Sequence, residues 1–87
     1  MSTEILIIDD NSEIRTILQE IISDSGYKTR LAANYNQALS EIDKKLPDVA
    51  IIDVKLDKSD NDGIELLNHI KNKNKDIPVI IISCLLY

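Results

Sequence analysis

The chain has 87 residues, 44% hydrophobic and 29% charged, a globular balance sufficient for one domain with a thin core. Its only aromatics are three tyrosines, so Ile and Leu must build the interior, and a net charge of −5 excludes a phosphate-backbone binder that relies on clustered Lys and Arg. A single cysteine, Cys84, cannot close an internal disulfide, and no apolar run reaches signal or membrane-spanning length, so a cytoplasmic protein with no membrane segment and no nucleic-acid partner is expected.

In chain order, Ile5 to Ile8 is an unbroken apolar run ending at Asp9-Asp10, the pattern of a strand buried on both faces. Asn11 or Ser12 can cap the helix that follows, where Ile14, Ile17, Leu18, Ile21 and Ile22 recur at helical spacing and predict one buried stripe. Gly26 suits a left-handed helix stop, and Tyr27 to Ala32 alternates loosely as a second strand. Asn34 starts the next helix, with Ala38, Leu39, Ile42 and Leu46 on one face before Pro47 ends it. Strand three is predicted over Val49 to Val54. Asp57 to Gly63 reads as a polar loop, and Ile64, Leu66, Leu67 and Ile70 mark a third helix closing in the Lys-rich stretch Lys71 to Lys75, where cations suit the helix dipole. Pro78 introduces a fourth strand, Val79 to Ile82, which ends at Ser83.

Strands alternating with amphipathic helices predict an α/β fold, βαβαβαβ, with a parallel sheet, right-handed crossovers and helices on both faces. If the order is flavodoxin-like, 2-1-3-4, strands one and three are neighbours and ligands gather at their carboxyl ends. Asp9, Asp10 and Asp53 then converge. Carboxylates that close repel one another unless a hard cation neutralises them, and magnesium fits because it keeps waters and accepts phosphate oxygens. One carboxylate is left to attack a phosphoryl donor, and the Ser83 hydroxyl can donate to a phosphoryl oxygen. A lone Asp at a strand end is ordinarily a turn or cap residue, but three at two adjacent strand ends, with a hydroxyl after a third, exceed what turn chemistry explains.

These segments carry a resemblance. Ile-Leu-Ile-Ile-Asp-Asp-Asn, Pro47-Asp48-Val-Ala-Ile-Ile-Asp53, Asp62-Gly63 opening a helix and Ile-Pro-Val-Ile-Ile-Ile-Ser83 resemble the receiver domains of bacterial response regulators, from Glu4 to Ser83. Within them the chain is most similar to NtrX-type receivers of nitrogen regulation, by the slightly long polar loop between Asp53 and Asp62-Gly63. The resemblance implies that Asp53 accepts phosphate from a histidine kinase, that Asp10 binds magnesium directly and Asp9 largely through water, that the backbone carbonyl of Lys55 completes the metal site, and that Ser83 reads the phosphoryl group. It also implies that residues 1–87 are one truncated receiver, lacking the last helix, strand and helix and the lysine that pairs with the phosphoryl group. Cys84 stands where the family usually has Ala or Gly and could partly cover Asp53.

Other chemistries fit less well. With Gly63 sixth in a calcium loop, the first ligand would be Lys58 and the twelfth His69. Lys55 stands where an Asp-x-Asp phosphatase needs its second carboxylate, and two glycines cannot make a Gly-rich phosphate loop. His69 reads as a partly exposed structural histidine and Cys84 as a small buried hydrophobe. The expectation is therefore a receiver that is not an enzyme. The competing expectation is a non-switching remnant that serves as an interaction module. In either case the fourth strand is predicted to be an open edge, with strands three and four partly bare, favouring a homodimer.

Overall fold

Strands and helices alternate along the chain in the expected order: β1 (Glu4–Ile8), α1 (Ser12–Asp24), β2 (Lys28–Ala32), α2 (Tyr35–Lys44), β3 (Val49–Asp53), α3 (Asp62–Lys73) and β4 (Val79–Ile82). The structure, a computed structural model, describes residues 3–54 and 62–82. All strand pairs are parallel and the sheet order is β2-β1-β3-β4, the flavodoxin-like doubly wound arrangement. The register sets Ile8 beside both Ala32 and Ile52, and Asp53 beside Ile82, so the strands end level with one another.

The apolar runs of β1 and β3 are continuous because both sheet faces are covered. On one face Leu6, Ile8, Ala50 and Ile52 pack with Ala38 and Ile42 of α2, Leu66 and Ile70 of α3, and Ile77. On the other, Ile5, Ile7 and Ile51 lie beneath Leu18 and Ile22 of α1. Asparagine side chains start the first two helices as their residue type predicts. Asn11 accepts from the backbone N–H groups of Glu13 and Ile14, and Asn34 accepts from that of Gln37, whose own side chain accepts from the Ala33 N–H. Gly26 has φ of 96°, the left-handed geometry that ends α1 and that a side chain would strain. Arg30 of β2 ties the sheet to α2, donating to the carbonyls of Glu41 and Lys45 and pairing with the carboxylates of Glu4 and Glu41. The Glu41 carbonyl also accepts from the Lys45 N–H, so Arg30 adds a second donor there and supplies one to the Lys45 carbonyl beyond the helix.

Several sequence expectations change. Ile17 and Ile21 of α1 are 54% and 59% exposed, because the helix rests on the sheet through Leu18 and Ile22 and its apolar stripe is wider than that contact. Ile64 is likewise exposed, since Gly63, Leu66 and Ile70 form the inward face of α3. Strand three is not open: Ala50 and Ile52 are fully buried and Ile51 nearly so. Among the described strand residues of the β3–β4 pair, the bare ones are Ile80 and Ile81, 50% and 37% exposed. α2 ends at Lys44, and Leu46 packs on the core from beyond it.

Candidate functional site

β1 and β3 are neighbours, and their shared register brings the residue after β1 level with the last residue of β3. Asp9 therefore stands beside Asp53, with Asp10 at the mouth. One carboxylate oxygen from each of the three lies within 4.8 Å of the others. Asp9 is buried, 2% exposed, whereas Asp10 is exposed and Asp53 lies between these extremes.

Asp9 is fixed at three atoms. Its N–H donates to the Ala32 carbonyl at 3.2 Å, its Oδ1 accepts from the Asn11 N–H at 2.8 Å, and its own carbonyl accepts from Nη1 of Arg15 at 2.7 Å. Burial pushes the Asp9 carboxyl above the usual carboxylate range; the Asn11 N–H opposes the rise, and the negative charges of Asp53 and Asp10 reinforce it. The site thus gathers negative charge around Asp9, where burial leaves solvent little room to compensate it. Among the described residues the donors are carboxylate oxygens close enough to share one ion, a set that fits a hard divalent cation such as magnesium.

The N-terminus of α3 approaches the same strand end. A Cβ on Gly63 would sit 2.6 Å from the carbonyl oxygen of Asp53 and 2.9 Å from Cα of Val54, so only glycine lets the helix come this close. Tyr35, at the start of α2, hydrogen-bonds Glu65 of α3; burial and then the charges of Glu65 and Asp62 push its hydroxyl pKa up. At the far ends of these helices, Asp43 of α2 meets His69 and Lys73 of α3 at 3.1 and 3.3 Å, which gives His69 the structural role expected of it.

The structure therefore brings together Asp9, Asp10 and Asp53 as the sequence suggests. Lys55 and Ser83, the other two expected site residues, lie outside the described residues, as does Cys84. The sequence reading missed Arg15 and the reason for Gly63. Arg15 leaves a faint signal, a cation in the opening turns of a helix where the dipole disfavours positive charge. No helix among the described residues is long and apolar enough to cross a membrane.

Comparison with known proteins gives a consistent result. Residues 5–85 match the response regulator receiver domain family. The chain is 39% identical over 83 residues to the nitrogen assimilation regulatory protein NtrX of Azorhizobium caulinodans, covering 95% of this chain and 18% of that protein. It is 41% identical over 83 residues to the sporulation initiation phosphotransferase F of Bacillus subtilis, covering 95% of this chain and 65% of that one. Among solved structures, the CheY-like receiver domain protein of Methanospirillum hungatei superposes with a TM-score of 0.87, at 28% identity over 95% of this chain and 65% of that one. The chain thus spans less than a fifth of the length of the NtrX relative.

Proposed function

We propose, on the premise that this chain belongs to the response regulator receiver domain family and so to two-component signalling, that Asp53 accepts a phosphoryl group from a phosphohistidine of a histidine kinase. The observation that carries this reading is the convergence of Asp9, Asp10 and Asp53 at the ends of two adjacent strands. A carboxylate oxygen of Asp53 forms a bond to phosphorus as the bond from phosphorus to the donor imidazole breaks. The imidazole nitrogen keeps the electron pair and takes up a proton from solvent. Asp9, Asp10 and Asp53, with the backbone carbonyl of Lys55, would hold a magnesium ion, and the Ser83 hydroxyl would donate to a phosphoryl oxygen. Magnesium in this site would neutralise the carboxylates and the incoming phosphoryl oxygens. The chain's own work is position and charge, with no turnover of a substrate, so it is a phosphate-accepting switch of the cytoplasm rather than an enzyme.

Intact-mass analysis after incubation with magnesium and acetyl phosphate tests this. One phosphoryl group is expected on the parent chain and none on Asp53→Asn. Label that persists in Asp53→Asn overturns the assignment.

A second reading, an interaction module that forms a homodimer through β4, is favoured by the exposed Ile80 and Ile81 on a strand with one neighbour among the described strands. It predicts association that does not depend on the phosphodonor, whereas a switch predicts association that changes with it.

A further inference from the structure

We propose that Arg15 is a positioning residue that sets the cation preference of the acidic site, by gripping the peptide group that joins Asp9 to Asp10. The inference rests on the metal reading above and adds to it a reason for selectivity. The Arg15 guanidinium donates to the Asp9 carbonyl at 2.7 Å in a part-buried contact. That carbonyl belongs to the planar unit that also contains the N of Asp10 and ends at its Cα. Holding the oxygen therefore fixes the direction in which Asp10 leaves Asp9. Asp9 is already held at its N–H by Ala32 and at Oδ1 by Asn11, so with Arg15 in place the two carboxylates keep one mutual orientation.

The position of Arg15 argues for this contact rather than for helix formation. It is the fourth residue of α1, whose N-terminal end carries the positive pole of the helix dipole, an unfavourable place for a cation. A positive charge close to three carboxylates would, by charge alone, weaken the binding of any metal ion. Its geometric effect runs the other way. Magnesium demands near-octahedral ligands at short distances, while calcium accepts more oxygens in looser arrangements. A rigid Asp9–Asp10 pair favours the first ion and gives the second little.

Isothermal titration calorimetry of magnesium and of calcium on the full chain separates these effects in the parent, Arg15→Ala, Arg15→Lys and Asp10→Asn. Arg15→Ala is expected to lose about tenfold in magnesium affinity, the usual scale for a group that orients metal ligands, and much less for calcium. The magnesium-to-calcium ratio then falls. Arg15→Lys, which keeps the charge and one donor, recovers part of that ratio. Melting in a chelator shows whether each variant is folded, and Arg15→Lys carries the test if Arg15→Ala is not. Equal losses for both ions, a gain for both, or unchanged affinities would overturn the role of Arg15 while leaving the metal site standing. No binding by the parent, or undiminished binding by Asp10→Asn, overturns the metal site and the role of Arg15 with it.

Discussion

Asp9 shows how a single side chain links the site to stability. Its carboxyl is raised by burial and then by the charges of Asp53 and Asp10. A carboxyl raised in the folded state binds its proton more readily there than in the unfolded chain, so its favourable contribution is present at low pH and is lost as pH rises through the raised value. At neutral pH the ionised Asp9 is therefore a burden on the fold. Asp9→Asn removes that charge and retains an oxygen able to accept from the Asn11 N–H. In chelator at neutral pH, Asp9→Asn is expected to melt above the parent, with the gap narrowing on acidification and closing below the ordinary carboxylate range. Magnesium is expected to raise the parent more than the variant, since it relieves the same repulsion. A variant that melts below the parent at neutral pH would contradict the account.

At the scale of elements, the site depends on how closely α3 can approach the end of β3. The obstacle at Gly63 is backbone, the Asp53 carbonyl and the Val54 Cα, and backbone cannot swing aside as a flexible side chain can. Gly63→Ala is expected to cost about 1–3 kcal/mol, the scale for overpacking a close contact, and about 4–8 °C of Tm per kcal/mol in a domain of this size. It should also slow phosphoryl uptake, because the displaced strand end carries Asp53. A thermal melt and a mass-spectrometric time course check the two effects. Melting and uptake that both match the parent would refute the contact.

The same elements show what sequence can and cannot supply. The apolar runs of β1, β3 and β4, the Asn11 and Asn34 caps and the Gly26 stop are local signals, and each lies where its residue types place it. The acidic cluster was readable because Asp9 and Asp53 each close an apolar run, and a parallel sheet gathers such ends. Which isoleucines of α1 are covered depends on how much sheet lies beneath them, and periodicity does not report that. Arg15 and Gly63 were obscure for a related reason: their partners are backbone atoms, which leave no residue signature.

At the scale of the whole molecule, the most exposed apolar residues of the described sheet lie on β4. Ile80 shares the α1 face with Ile51, Ile81 shares the opposite face with Ile52, and both are exposed on a strand with one neighbour among the described strands. An apolar strand with an unpaired side invites pairing, and β4 is one among the described strands. Light scattering behind a sizing column at micromolar concentration is expected to show dimer for the parent and monomer for Ile80→Lys. A parent chain that stays monomeric, or a dimer indifferent to the lysine, would dismiss the interface.

The strand order also dictates a sequence of events as the chain is made. β1 emerges first but occupies an interior position, paired with both β2 and β3. Its first partner arrives early, Lys28 against Glu4, and its second only when Val49 comes to lie against Ile5. Loop-closure entropy differs little between these two spans, so the delay comes from synthesis rather than from the polymer. Between the two events the nascent chain holds a strand of Ile and Leu with one side unpaired, the kind of exposed edge that draws chaperones or misassembly on the ribosome. A synonymous change that slows translation after β2 has left the ribosome and before β3 has done so would lengthen that interval without altering a single contact of the finished protein.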